Sequence, residues 1–71
     1  MTQEEATEHN EKVIRNIMIA LIKSGLADPV RLITDKTYAT EQIMTYIQAA
    51  NITREMLRMP KLYLIDTNEI D

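Results

Sequence analysis

The sequence predicts a mainly α-helical fold: a single domain, residues 1–71, with about four helices and a short C-terminal strand. Apolar residues recur every three or four positions over residues 13–22 and 43–50, the period of an amphipathic helix. Capping residues stand before each candidate helix, and glycine or proline stands near several helix ends. A chain of 71 residues has room for one small core, so its margin of stability is narrow.

The first predicted helix covers residues 3–24. Thr2 and Glu5 have the spacing of a capping box, and Gly25 is placed to end the helix in the left-handed conformation. The apolar residues of the stretch Ile17–Ile22 spread beyond a single stripe. We expect this stretch to be buried on two sides, by the core and by the second subunit of a homodimer.

A short second helix is predicted to begin at Asp28-Pro29 and to end near Asp35. An acidic capping residue followed by proline at the first helical position is a strong helix start. Residues 30–34, VRLIT, are rich in β-branched side chains, so a strand is the alternative for this stretch.

Two further helices are predicted in close succession. Thr40 can cap a helix over residues 41–50, and Thr53 can cap another over residues 54–59, which a proline follows. Asn51 lies between them and is one of the few residue types other than glycine that tolerate the left-handed conformation of a tight turn.

Residues 61–65, KLYLI, are predicted to form the C-terminal strand. This strand can pair with VRLIT inside the molecule. It can instead remain an unpaired edge that adds to the sheet of another protein.

The stretch AANITREMLRM resembles the helix-turn-helix pair of small bacterial and phage regulators. Ala50, Asn51, Ile52 and Leu57 occupy the inward and turn positions of such a pair. The resemblance implies that the second helix contacts DNA and that a basic residue after it adds charge. The DNA-binding residues are then Thr53, Arg54, Glu55, Arg58 and Lys61.

The charge of the chain is unevenly distributed. Eleven acidic and eight basic side chains give a net charge of −3, which does not favour tight, non-specific binding to DNA. Residues 1–11 contain four glutamates and no lysine or arginine, whereas residues 54–61 contain three cations and one acid. The sequence therefore predicts an acidic first helix and a basic patch at residues 54–61, near the last predicted helix.

The sequence offers little chemistry for catalysis. It has no cysteine, and its one histidine, His9, could hold a metal only loosely with Glu5 on a helix that we expect to be solvated. We therefore expect no enzyme, no cofactor, no metal and no small-molecule substrate. The acidic N-terminal segment and the short apolar run at 17–22 predict a cytoplasmic protein without a membrane segment.

Two functions follow from these features. The first is a small non-enzymatic transcription regulator, of the kind carried by phages and mobile elements, acting through the helix-turn-helix-like pair on DNA or on a DNA-bound protein. The alternative is a protein-only module, an inhibitor or antirepressor, that binds its partner through the terminal strand and a Met-rich helical surface. Its partner-binding residues are Leu62, Tyr63, Leu64, Ile65 and Met59.

Overall fold

The structure, a computed structural model, describes residues 1–69 and confirms the mainly helical prediction. It contains the α-helices α1 (Gln3–Lys23), α2 (Pro29–Thr34) and α3 (Lys36–Met56), followed by a 3₁₀ turn, η1 (Thr67–Glu69). The prediction of about four helices is wrong, because this part of the chain forms three. The predicted C-terminal strand is also wrong, because residues 1–69 contain no strand.

Both predicted ends of α1 are confirmed. The Thr2 hydroxyl oxygen accepts a hydrogen bond from the Glu5 amide at 3.1 Å, and the Glu5 carboxylate accepts one from the Thr2 amide at 3.2 Å. Gly25 has φ +72°, and its amide donates to the Ile22 carbonyl at 3.1 Å. The next amide, of Leu26, donates across the helix end to the Leu21 carbonyl, also at 3.1 Å. These two bonds are the Schellman motif, for which a residue without a Cβ is favoured.

α2 starts where the Asp28-Pro29 pair predicts. The Asp28 carboxylate accepts from the amides of Val30 at 2.9 Å and Arg31 at 3.4 Å, and Pro29 is the first helical residue. The strand alternative for VRLIT is therefore wrong. An acidic cap and a proline that needs no hydrogen bond at this position outweigh the modest preference of β-branched residues for strands.

α3 begins five residues earlier than we predicted. Asp35, not Thr40, caps it, and the Asp35 carboxylate accepts from the Tyr38 amide at 3.0 Å. This backbone hydrogen bond, with the Arg31 guanidinium 3.4 Å away as a lesser cause, lowers the pKa of the Asp35 carboxyl. Thr40 lies inside the helix, where its hydroxyl donates to the Lys36 carbonyl at 2.9 Å.

The predicted turn at Asn51 is wrong. α3 continues through Asn51 to Met56, so the helices expected at 41–50 and 54–59 form one helix. The Asn51 side chain does not support a left-handed turn but reaches a later part of the chain. Its oxygen accepts from the Leu62 amide at 2.7 Å, and its nitrogen donates to the Leu62 carbonyl at 2.9 Å.

Residues 59–66 form an extended segment that runs from the end of α3 towards the start of α1. We call this segment the C-terminal strap. A second asparagine, Asn10 of α1, holds Ile65 as Asn51 holds Leu62. Its oxygen accepts from the Ile65 amide and its nitrogen donates to the Ile65 carbonyl, both at 2.8 Å. The strap is not a strand because its backbone pairs with these side-chain amides and not with another strand.

The core lies between α1, α2, α3 and the strap. Tyr38 ties α2 to α3, because its hydroxyl accepts from the Asp28 amide at 3.0 Å and its ring lies 4.0 Å below the Arg31 guanidinium carbon. Leu62 and Leu64 of the strap pack against the core while staying partly exposed. The buried residues of the core cluster are Ile17, Leu21, Ala27, Leu32, Ile43 and Ile47.

Candidate protein-interaction surfaces

The predicted DNA-binding residues do not lie together on a separate second helix. Thr53 lies within α3 and not at a helix start, so the free amides that would hold a phosphate are not present there. The half-buried Arg54 donates to the Pro60 carbonyl at 2.9 Å. Arg58 lies beyond the end of α3 with φ +56°, so Arg54 and Arg58 do not share a helical face. Glu55, Arg58 and Lys61 are exposed.

The predicted partner-binding residues divide into two groups. Leu62, Leu64 and Ile65 face inward in part, and both asparagine contacts already use the backbone of Leu62 and Ile65. The strap therefore leaves little free edge for adding to another sheet. Tyr63 and Met59 are exposed.

Tyr63 is held against α1 by His9. The two rings stack with centroids 4.7 Å apart, and His9 Nε2 lies 3.1 Å from the Tyr63 carbonyl oxygen, a bond in which the ring nitrogen donates. Glu5, the residue considered as a second metal ligand, is used by the capping box. Within residues 1–69, no three His, Asp or Glu side chains come together in a way that could hold a metal ion.

An open groove of about 530 Å³ lies between the C-terminal half of α3, the α1–α2 connection and the strap. We call it the apolar groove. Alanines of α3 form part of its lining, and larger apolar side chains surround them. It is lined by Leu26, Tyr46, Ala49, Ala50, Thr53, Arg54, Leu57, Met59 and Leu62.

The ends of two helices build the groove. Leu26 follows the glycine that ends α1, and Leu57 and Met59 flank the left-handed Arg58 at the end of α3. Leu26 is 71% exposed and Leu57 is 65% exposed, so both contribute exposed apolar surface to the groove. Ala49 and Ala50 leave the space between these side chains open because their own side chains are short.

Sequence reasoning missed Leu26, Ala49 and Leu57 as lining residues. The missed signal was the small-residue pair Ala49-Ala50, one turn before Thr53 and about two turns before Leu57, the C-cap of the same helix. Such a pair inside a helix permits the close approach of another element. The resemblance to a helix-turn-helix instead assigns Ala50 to the inward side of such a pair.

A second apolar surface lies on α1 and shares no residue with the apolar groove. We call it the α1 flank: Glu11, Ile14, Arg15, Met18, Ile19 and Ile22, which line a shallow groove of about 400 Å³. Of the stretch predicted to be buried on two sides, Ile17 and Leu21 face the core. Ile19 and Ile22 remain 45% and 42% exposed.

The comparisons with known proteins add no relative. No protein-family model, no curated protein and no solved structure matches this chain. Within residues 1–69, no helix is both long enough and apolar enough to cross a lipid bilayer.

Proposed function

We propose that the protein is a non-enzymatic interaction module that holds an amphipathic helix of a partner protein in the apolar groove. One observation carries the proposal: Leu26 and Leu57, both largely exposed, line a concave surface whose lining also contains alanines. Large exposed apolar side chains around a concavity mark binding sites in small soluble proteins.

The shape of the groove favours a helix as its occupant. Short side chains in its lining allow a helix to come close, and the surrounding apolar side chains can contact anchors spaced three or four residues apart. Met59 supplies a flexible apolar contact that adapts to the anchor it meets. A strand is a poorer occupant, since the strap already uses backbone groups to bind Asn10 and Asn51.

Charge defines the partner further. Arg54 lines the groove, Arg58 separates two lining residues in the chain, and Lys61 follows in the strap. Glu55 is the single acid among residues 54–61. These cations favour a partner helix that carries Asp or Glu beside its apolar face. In this proposal the partner is a DNA-bound protein. The module acts on it as an inhibitor or antirepressor and does not contact DNA itself.

Direct binding to DNA is the second candidate function, and the same cations favour it. Arg58 and Lys61 are exposed, and exposed cations can neutralise phosphates. Such binding would have to proceed without a helix-turn-helix pair, because α3 is continuous through Asn51. The experiment below distinguishes direct DNA binding from the binding of a partner helix.

The test uses a fluorescein-labelled amphipathic peptide of 16 residues, with leucine anchors at helical spacing and glutamates between them. We expect the wild-type protein to bind this peptide and to ignore a scrambled version, as measured by fluorescence anisotropy. Leu57→Glu places a charge in the groove and should weaken binding by about tenfold or more, equivalent to about 1.4 kcal/mol. Ala49→Leu should weaken it similarly by filling the space.

Ile33→Glu is the matched control, because Ile33 is 81% exposed on α2 and does not line the groove. Equal binding by the Leu57→Glu and Ile33→Glu variants would reject the groove. In a parallel experiment, a labelled 20-base-pair duplex replaces the peptide, and Arg58→Ala with Lys61→Ala tests the cations. The second candidate is favoured if the wild type binds DNA in a salt-sensitive way, the double variant loses this binding, and the wild type does not bind the peptide.

A further inference from the structure

We infer that the protein forms a two-fold symmetric homodimer in which the α1 flanks of two copies pack against each other in antiparallel order. This interface shares no residue with the apolar groove. The inference therefore holds whether or not the groove binds a partner helix, and a failure of one does not affect the other.

The first argument is the apolar character of the α1 flank. Ile19 and Ile22 of α1 are nearly half exposed, and Ile14 and Met18 beside them are partly buried against the core. Four of the six residues that line this shallow groove are apolar. The four side chains recur at helical spacing over about two turns. A second helix can pack its own ridge of side chains into such a groove.

The second argument is the surface area of the isolated chain. Its accessible surface is 5675 Å², whereas a folded monomer of 8.2 kDa is expected to expose about 4,500 Å². The molecule is a thin slab of 37 × 33 × 16 Å, and its radius of gyration is 13.1 Å. A compact chain of this length is expected to have about 11 Å. The excess surface, about 1,100 Å², exceeds the roughly 800 Å² that each partner contributes to a standard interface.

The third argument is charge, and it identifies the occupant and its direction. The N-terminal half of α1 carries Glu4, Glu5, Glu8 and Glu11 with one cation, Lys12, whereas the C-terminal half carries Arg15 and Lys23 and no acid. Two copies in antiparallel order place Glu11 of each α1 beside the C-terminal turn of the other α1, which carries Lys23 and no acid. A parallel order would place the glutamates of both copies together, which is unfavourable. The surface is thus complementary to a second copy of itself, as a two-fold interface requires.

The test is sedimentation equilibrium of the whole chain over a concentration series from about 1 to 500 µM. We expect the wild type to approach twice 8.2 kDa. Ile19→Glu should raise the dimer dissociation constant by about tenfold or more, equivalent to about 1.4 kcal/mol. Ile33→Glu, on α2 and outside the α1 flank, should leave the constant unchanged. Far-ultraviolet circular dichroism checks that each variant remains helical.

The direction is tested with single cysteines, since the natural chain has none. Glu11 and Ile22 lie at opposite ends of the α1 flank. Under mild oxidation, Glu11→Cys mixed with Ile22→Cys should form a mixed disulfide faster than either variant forms one alone. A wild type that stays monomeric throughout the series, or dimerisation that Ile19→Glu leaves intact, overturns the interface. Faster cross-linking of each variant to itself overturns the antiparallel order.

Discussion

Arg58 occupies a backbone conformation that arginine seldom adopts. Its φ is +56°, and its amide donates to the Glu55 carbonyl at 3.1 Å while the Met59 amide donates to the Arg54 carbonyl at 2.8 Å. This is the same Schellman motif that ends α1, with arginine in the place that Gly25 takes there. The left-handed conformation costs a residue with a Cβ about 1–2 kcal/mol.

We therefore predict that Arg58→Gly stabilises the protein. Glycine removes the steric cost at this position but loses more conformational entropy on folding, so the net gain should be about 1 kcal/mol. The midpoint of urea unfolding should rise while its slope stays the same. Arg58→Ala is the control, because it removes the charge and keeps the Cβ. An equal gain from the alanine variant would attribute the effect to charge instead.

Single residues also explain which local predictions succeeded. Thr2, Gly25 and Asp28 were read correctly because each acts on amides or carbonyls within a few positions of itself. Thr40 was misread because Asp35, five positions earlier, makes the same kind of cap and starts the helix first. Asn51 was misread because its partner, Leu62, lies eleven positions away, and no local pattern shows such a contact.

At the scale of elements, the C-terminal strap replaces a strand pairing with two side-chain contacts. Asn51 binds the amide and the carbonyl of Leu62, and Asn10 does the same for Ile65. A strand in a sheet receives the same two bonds from a neighbouring backbone. The strap thereby satisfies these backbone groups, and Leu62 and Leu64 are positioned against the core.

We predict that Asn51→Ala or Asn10→Ala destabilises the protein by about 1–3 kcal/mol. Each change removes two hydrogen bonds of about 1 kcal/mol and leaves a half-buried amide and carbonyl without a protein partner. Hydrogen exchange checks the cause directly. The Leu62 amide should lose protection in the Asn51 variant, and the Ile65 amide should lose it in the Asn10 variant.

Asn16→Ala is the matched control for this prediction, because Asn16 is an exposed asparagine of α1. There the same substitution should be neutral or stabilising by a few tenths of a kcal/mol, since alanine is the better helix former. If all three variants change stability alike, the asparagine contacts do not hold the strap.

Elements also show why a sequence pattern alone does not determine the candidate site. The five residues assigned to DNA were found from a pattern of two short helices, and that pattern does not distinguish a turn at Asn51 from a continuous helix. The apolar groove depends on how Leu26, Leu57 and the strap come together in space. Periodicity identifies the face of a helix but not which distant segments will surround it.

At the scale of the whole molecule, the thin slab explains why so much apolar surface remains exposed. A layer 16 Å thick has room for helices side by side but for no second layer above them. The core consequently contains few buried side chains, and apolar residues such as Ile19, Leu26 and Leu57 reach the surface. A chain with so small a core gains stability when a second copy covers part of that surface.

This coupling predicts that thermal stability depends on protein concentration. If the homodimer binds two folded chains and no unfolded chain, mass action stabilises the folded state as concentration rises. Each kcal/mol gained raises the Tm of a domain of this size by about 4–8 °C. The Tm of the wild type should therefore increase over a hundredfold range of concentration, as followed by circular dichroism. The Tm of Ile19→Glu should stay constant and that of Ile33→Glu should follow the wild type. A constant Tm for all three would mean that the slab is stable alone, and that the α1 flank contributes nothing to folding.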